Sequence, residues 1–450
     1  MQDLIASSVN RVVVGLGVTG LSCARHLYRL GVPFSVVDTR DNPPGLQTLR
    51  ELMPDIEVYL GEYPQAVIAG AQELIVSPGV AMDAPLVSAA REAGVDIIGD
   101  IDLFVHEAQA PVIGITGSNA KSTVTELVGE MARQSGLNVG VGGNLGTPAL
   151  DLLADDRELY VLELSSFQLE RAGSLGLSLA TVLNVSPDHL DRHGSMVAYH
   201  QAKHRIFRGC RKAVVHTDDA LTVPLLEEKV PVIGWRMGEP ALDGFGLRVQ
   251  DGVESICLGL QELLPVADIR MAGRHNVANA LAALALGHGA GLPLAIMLDT
   301  LRQFPGLPHR CEMVAEIAGV RYINDSKGTN VGATEAALAG LGGDRDILLI
   351  AGGQGKGADF TGLAASTRRH CRQLITIGED AGRLRDALQD VVPVTHADSL
   401  QDAVAQAAEL AQAGETVLLS PACASFDMFS GYIARGEAFV AAVRSLGGEA

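Results

Sequence analysis

The sequence predicts an α/β protein built from three tandem units, each with a parallel sheet covered by helices on both faces. Three observations carry this expectation. A β-branched run, Arg11-Val12-Val13-Val14, enters a glycine-rich turn and is followed by a helical pattern and a second apolar run. A second strand-to-loop-to-helix passage begins at Val112, and apolar runs alternate with helical stretches again beyond residue 309. Strands separated by helices of about ten residues or more pair in parallel and are buried on both faces. At about 150 residues per domain, a chain of 450 residues also suits three units.

The first unit is expected over residues 1–105. Its opening strand runs into Gly15-Leu16-Gly17-Val18-Thr19-Gly20, a helix follows over 21–30, and the apolar run 34–37 ends at Asp38. This is a β-turn-α-β unit, followed by strand patterns at 73–76 and 96–98. The second unit, 106–308, starts with a strand over 112–116, a loop over 117–120 and a helix over 121–134. Strands at 159–164 and 180–185 follow. Residues 212–270 carry little pattern, and an Ala/Leu-rich helix runs over 276–288. Phe304-Pro305-Gly306-Leu307-Pro308 reads as a linker, because prolines flanking a glycine stop a helix. The third unit, 309–450, has strand patterns at 320–323, 347–351, 374–377 and 416–420, with helical stretches between them.

Composition narrows the function classes. Hydrophobic residues make up 47% and charged residues 19%, a globular balance. The net charge of −19 repels phosphate backbones and anionic lipid, which argues against nucleic acid and membrane surfaces as partners. The six cysteines are scattered without a Cys-x-x-Cys pair, which argues against a disulfide framework or zinc site and suits a reducing cytoplasm. Asp3 and Arg11 interrupt the N-terminal residues, which lack the apolar core of a signal peptide.

The strongest motif is Gly117-Ser118-Asn119-Ala120-Lys121-Ser122-Thr123, between a strand and a helix. Backbone N–H groups and the dipole at such a helix start attract the phosphates of ATP, the lysine reaches the outer phosphates, and the Ser122 hydroxyl can ligate Mg²⁺. The pattern asks for glycine before the lysine, and Ala120 stands there instead. The Gly15–Gly20 turn, with Asp38 about twenty residues on, suits a nucleotide diphosphate. NAD(P), another nucleotide or a structural turn all remain open for it. Glu163 ends an apolar strand on the side expected to face the phosphate loop, which makes it a candidate Mg²⁺ ligand. Residues 184–193 place Asp188, His189, Asp191 and His193 in a loop after a strand, where catalytic groups tend to sit. Composition alone reads Lys203 as a solvated surface lysine. In the third unit, Asp325-Ser326-Lys327-Gly328-Thr329-Asn330, Gly355-Lys356-Gly357 and Ala424-Ser425-Phe426-Asp427 suit a small carboxylate-bearing ligand.

Together these residues resemble the Mur ligase family. Eight motifs occur in order, at residues 15–20, 117–123, 142–144, 163–170, 184–192, 275–279, 325–330 and 420–427. The Gly-Thr-His-Gly-Lys-Thr loop of the alanine-adding members is lacking, and Ser-Pro-Ala-Cys-Ala-Ser-Phe-Asp favours the D-glutamate-adding branch. The resemblance implies an ATP- and Mg²⁺-dependent ligase that extends UDP-N-acetylmuramoyl-L-alanine through an acyl phosphate, working as a cytoplasmic monomer on small molecules. It implies that Val18, Thr19, Asp38, Thr39, Arg40, Gly79 and Asn144 bind the UDP substrate. Residues 117–123, Asn276, Asn279, Arg310 and Asp325 would hold ATP. Lys327, Thr329, Lys356, Ser425, Phe426 and Tyr432 would surround D-glutamate. Lys121, His189 and Lys203 would be catalytic, and Ser122, Glu163, His189 and a carbamylated Lys203 would hold metal. Another Mur-type or a folate-polyglutamate-type ligase, an NAD(P)-dependent oxidoreductase using the first glycine turn, and a non-catalytic ATP switch are the competing expectations.

Overall fold

The computed structural model describes residues 10–62 and 65–447; Asp3 lies outside them. Three sheets form in chain order. The first is entirely parallel and runs Val58–Leu60, Phe34–Asp38, Arg11–Val14, Glu73–Val76, Asp96–Ile98. Val12, Val13 and Val14 are buried at its centre, as a two-faced parallel sheet requires of β-branched residues. The turn after Val14 needs its glycines. Gly15 has φ +87°, and a Cβ on Gly20 would lie 1.8 Å from the Gly15 carbonyl oxygen. The helix that follows can therefore start early, at Val18 rather than residue 21, and pack directly against the turn.

The second sheet has nine strands. Six of them run parallel in the order Val232–Trp235, Ala213–His216, Leu179–Val182, Val112–Thr116, Leu159–Glu163, Val139–Gly143. The other three, Phe245–Gln250, Val253–Leu258 and Gln261–Pro265, extend the Val232 edge; they are antiparallel to one another, while Phe245–Gln250 pairs parallel to Val232–Trp235. The expectation of parallel strands throughout therefore needs correction here. Residues 212–270 supply five strands that the sequence pattern hides. Ala213–His216 is short and buried inside the sheet, and the four strands that extend it beyond Val232 carry exposed valines at 232, 249 and 253, so neither a long apolar run nor a clean alternation marks them.

The helix Lys121–Gln134 places Val124, Leu127, Val128, Met131 and Ala132 on one stripe, all fully buried. It packs against the Ala/Leu-rich helix Arg274–Gly289. That contact fixes the phosphate-loop end of the first helix close to Asn276 and Asn279 at the start of the second.

The third sheet runs Glu312–Ile317, Val320–Asn324, Thr416–Leu419, Ile347–Gly352, Cys371–Ile377, Val394–His396. Its first strand is antiparallel, a second exception to the expected parallel pattern. The carboxyl ends of the strands Val320–Asn324, Thr416–Leu419 and Ile347–Gly352 lead directly into the segments that begin at Asp325, Ser420 and Gly353.

Candidate active site

The phosphate-loop turn is held from several sides. Asn119 N–H donates to Asn184 Oδ1 at 2.8 Å, and Asn184 Nδ2 returns a bond to Asn119 O at 3.2 Å. Ser118 Oγ donates to Ser186 O at 3.0 Å and shares a 3.0 Å bond with the Tyr199 hydroxyl. Ala120 closes the turn at φ +66°, in the left-handed region where a Cβ is strained. The position does call for glycine-like geometry, and alanine adopts it.

Lys121 Nζ donates to the carbonyls of Gly117 at 2.9 Å and Ser118 at 3.0 Å. Lys203 Nζ donates to the same Gly117 carbonyl at 2.7 Å. Lys203 is 1% exposed, so the surface reading of composition is wrong. The helix Met196–His204 is capped by Ser195 and buries Tyr199, Ala202 and Lys203 on one face, with the Lys203 amine 4.5 Å from the Tyr199 ring centre. Burial, followed by repulsion from Lys121, pushes the Lys203 pKa well below its ordinary value. Lys121 is depressed too, chiefly by burial.

Glu163 is 3% exposed at the end of its strand. Asn144 Nδ2 donates to its Oε1 at 2.6 Å, while Oε2 is buried without a hydrogen-bond partner among the described residues. A buried carboxylate oxygen left open costs desolvation energy unless a cation meets it. Ser122 and Glu163 line the same cavity and offer oxygen ligands, which suit a hard cation that takes its other ligands from phosphate and water. No group of three or more His, Cys, Asp or Glu that could hold a metal occurs among the described residues. Mg²⁺ fits this donor set; zinc does not. His189 sits at φ +54° with Nε2 3.6 Å from Asp188 Oδ2, and burial lowers its pKa.

The third unit closes the cavity. Arg310 Nη2 donates to Ser122 Oγ at 2.6 Å. Asn330 Nδ2 donates to Asn119 Oδ1 at 3.1 Å and Asp188 Oδ2 at 3.2 Å. Asp325 accepts from Ser420 Oγ at 2.7 Å and Cys311 N–H at 3.2 Å, yet burial still raises its pKa to about 6. Lys327 Nζ lies 4.2 Å from the Tyr432 ring centre, and burial, then Arg310 and Lys121, lower its pKa to about 8. Thr329, Lys356, Ser425 and the exposed ring of Phe426 complete this wall. Behind it, the buried Arg435 donates to the carbonyls of Ser326 and Cys423 at 2.9 and 3.1 Å.

The residues expected to meet ATP, metal and amino acid, other than Gly117, thus share one cavity of about 500 Å³, and the Gly117 carbonyl is bonded by two of its lysines. Val18, Thr19, Asp38, Thr39, Arg40 and Gly79 line a separate cleft of about 650 Å³ on the first unit. Asn144 does not join them. It stands beside Glu163 in the central cavity, because its N–H donates to the Glu163 carbonyl at 2.8 Å. Asp38 is also differently employed than a free ribose acceptor. Leu16 N–H donates to its Oδ2 at 2.7 Å, and Arg40 donates to both oxygens at 2.9 and 2.6 Å. Burial works to raise its pKa, but these bonds outweigh burial and hold it below the usual carboxylate value.

Sequence reasoning missed Tyr199 and Phe167. Tyr199 bonds Ser118, and Phe167 stacks on His193 at 5.3 Å and meets His189 edge-on at 4.9 Å. Both aromatic residues sit beside motifs already singled out, and that nearness was the only signal for them.

Three family models match the chain. They are the Mur ligase MurD-like N-terminal domain over residues 9–99, the Mur ligase middle domain over 115–287, and the Mur ligase glutamate ligase domain over 309–423. The UDP-N-acetylmuramoylalanine–D-glutamate ligase of Pseudomonas aeruginosa is 55% identical over 446 residues, covering 99% of this chain and 100% of that one. The enzyme of the same name from Pseudomonas syringae pv. syringae is 54% identical with the same coverage. Among solved structures, the MurF ligase of Thermotoga maritima in complex with ADP superposes with TM-score 0.58 at 15% identity, over 99% of this chain and 98% of that chain. At that identity the likeness is one of fold.

Proposed function

The chain belongs to the Mur ligase family, and from that premise we propose that it joins D-glutamate to UDP-N-acetylmuramoyl-L-alanine at the expense of ATP, in peptidoglycan precursor synthesis. One observation carries the reading furthest. Two lysines, Lys121 and Lys203, converge on the Gly117 carbonyl in the cavity that also holds the open carboxylate oxygen of Glu163 and, on its far wall, Lys327. That is an anion site with cations on both walls, as a reaction between a phosphate, a carboxylate and an amino acid requires.

In this reading the first cleft, within residues 1–105, holds the uridine diphosphate and directs the L-alanine carboxylate toward the central unit, 106–308. A carboxylate oxygen attacks the γ-phosphorus of ATP, the bond to the β-γ bridging oxygen breaks, and ADP leaves. Lys121 offsets the charge on the transferring group. The third unit, 309–450, presents D-glutamate with Lys327, Thr329, Lys356, Ser425, Phe426 and Tyr432. Its amine attacks the acyl carbon, phosphate leaves with the electron pair of the carbon–oxygen bond, and the amine sheds a proton. Asn276, Asn279 and Asp325 flank ATP. Ser122, Glu163 and His189 would hold Mg²⁺, which supplies charge neutralisation at phosphate oxygens when bound.

Lys203 has a second task. Burial favours its neutral amine, which can bond the carbon of CO₂ and lose a proton to give a carbamate anion able to face a cation. The asparagine bridge from Asn330 to Asn119 and Asp188 closes the third unit over the cavity and excludes water that would hydrolyse the acyl phosphate. No described helix is long and apolar enough to cross a membrane, and a cytoplasmic monomer suits small-molecule substrates.

Mass spectrometry of the UDP substrate after incubation with ATP, Mg²⁺ and one amino acid at a time tests the assignment. A product carrying one added glutamate, formed with D- but not L-glutamate, is expected. Addition of L-alanine or L-lysine instead would move the chain to another branch of the family.

A further inference from the structure

Arg171 belongs to no motif of the phosphate or amino-acid sites, yet it is one of the most thoroughly bonded side chains in the molecule. It lies at the end of the helix Ser166–Arg171, three residues beyond the Gln168 that completes that helix's capping box. Its Nε donates to its own helix at Phe167 O, 2.7 Å. The rest of the guanidinium leaves the central unit. Nη1 donates to Val76 O at 3.1 Å and Ser77 O at 2.6 Å, and Nη2 to Val80 O at 3.1 Å and Pro78 O at 3.4 Å. Arg192, after the His189 loop, adds a 2.7 Å bond to the same Val80 carbonyl. Glu170 stands 3.8 Å from Arg171 and supplies a counter-charge. Gly99 makes room for the stem, since a Cβ there would lie 2.9 Å from Arg171 Cγ.

The consequence lies on the other side of the bonded loop. In a trans peptide the N–H points opposite to the preceding C=O. Carbonyls of Pro78 and Val80 turned toward Arg171 therefore turn the amides of Gly79 and Ala81 away from it. Gly79, Val80 and Ala81 line the first cleft, and Arg171 lies outside that cleft. Successive N–H groups directed into a concavity form an anion site, and a buried cation behind their carbonyls reinforces the polarity of those peptides.

We propose that Arg171 is a positioning residue for the nucleotide end of the substrate: it sets the 76–80 loop so that the Gly79 and Ala81 amides face a diphosphate in the first cleft, and it ties that cleft to the helix that begins three residues after Glu163. The proposal rests on the reading of this cleft as the UDP site. Its specific content is that a residue of the central unit, touching no substrate, controls affinity for the first unit's ligand. The four bonds that cross from one planar group also keep the two units in one register, so the substrate carboxylate arrives at a fixed distance from the phosphate loop.

The test uses the full chain and UDP as the probe. Binding of UDP is measured by calorimetry, and KM is measured separately for the UDP substrate and for ATP. Arg171→Lys keeps the charge but cannot bridge four carbonyls. It is expected to weaken UDP binding and raise KM for the UDP substrate at least tenfold, with KM for ATP within twofold. Gly99→Ala, which displaces the arginine stem while leaving the guanidinium, serves where Arg171→Lys fails to fold; a three- to tenfold change in the same two quantities is expected. Unchanged UDP affinity in a folded variant overturns the proposal. So does an equal rise in both KM values with a drop in thermal stability, which is the signature of a merely structural role. Failure of the unaltered chain to bind UDP would overturn the underlying reading of the cleft, and is distinguished by appearing before any substitution is made.

Discussion

Lys121 and Lys203, from separate helices, donate to one and the same carbonyl oxygen, that of Gly117, at 2.9 and 2.7 Å. Charged together, the two amines would repel each other, and that repulsion adds to burial in depressing the Lys203 pKa. An arrangement of this kind is costly unless anions enter between the two amines.

Lys121 is the phosphate-loop amine placed to offset charge on a transferring phosphoryl group. Lys121→Ala is expected to lower kcat at least about a hundredfold, in line with removal of one key electrostatic stabiliser. Steady-state phosphate release measures this. A loss below tenfold would mean that the loop does not hold the reacting phosphates.

Lys203, the more buried amine, acts as a carbamate in the proposed scheme. Lys203→Ala should nearly abolish turnover, and added acetate should restore part of it by supplying a small carboxylate to the vacated space. Near-normal activity of the alanine variant would leave Lys203 with no part in the reaction.

Ala120 holds φ +66°, where a Cβ costs roughly 1 kcal/mol. Ala120→Gly relieves that strain but loosens the unfolded chain by a similar amount, so stability should change by less than about 1 kcal/mol. A β-branched side chain is far less tolerant of positive φ. Ala120→Val should destabilise by about 2 kcal/mol in urea unfolding. Equal stability of the valine and alanine forms would contradict the left-handed geometry of the turn.

Lys327 titrates from a pKa lowered from 10.5 to about 8. The folded chain thus releases this proton more readily than the unfolded one, and the unfolded state binds more protons over that window. Stability contributed by the neutral amine is complete above pH 10.5 and is lost as pH falls through about 8. Comparing unfolding at several pH values, Lys327→Met should show a smaller rise in stability between pH 8 and 10.5 than the parent chain. Parallel curves would contradict the shift. In the same range KM for D-glutamate should climb as the cation facing it disappears.

What the sequence made legible follows from how local the physics is. The phosphate loop could be read because strand, turn, lysine and hydroxyl must be contiguous to wrap an anion. Even the demand for glycine-like geometry at Ala120 showed in the pattern. Lys203 could not be read that way: its burial depends on how the helix Met196–His204 lies on a loop more than eighty residues earlier, and only the family resemblance singled it out. Arg171 and Arg435 look like ordinary basic residues on helices. Their importance comes from carbonyls far off in the chain, which no spacing reveals. The strands between Val232 and Pro265 were hidden for a different reason, since short strands in a partly solvated extension of the sheet need neither long apolar runs nor strict alternation. The partners of Asn144 and Asp38, Glu163 for one and Leu16 and Arg40 for the other, were not legible, because a motif gives a residue's neighbours in sequence and not the groups that meet its oxygen and nitrogen atoms.

The central claim is that the cavity joining Lys121, Lys203, Glu163 and Lys327 couples ATP cleavage to amide formation. Phosphate release from ATP with Mg²⁺ and UDP-N-acetylmuramoyl-L-alanine, measured with and without D-glutamate, tests it most directly. Release that depends on D-glutamate, and that matches the amount of amide product, is the predicted result. Release at the same rate without the amino acid, or none under either condition, would contradict it.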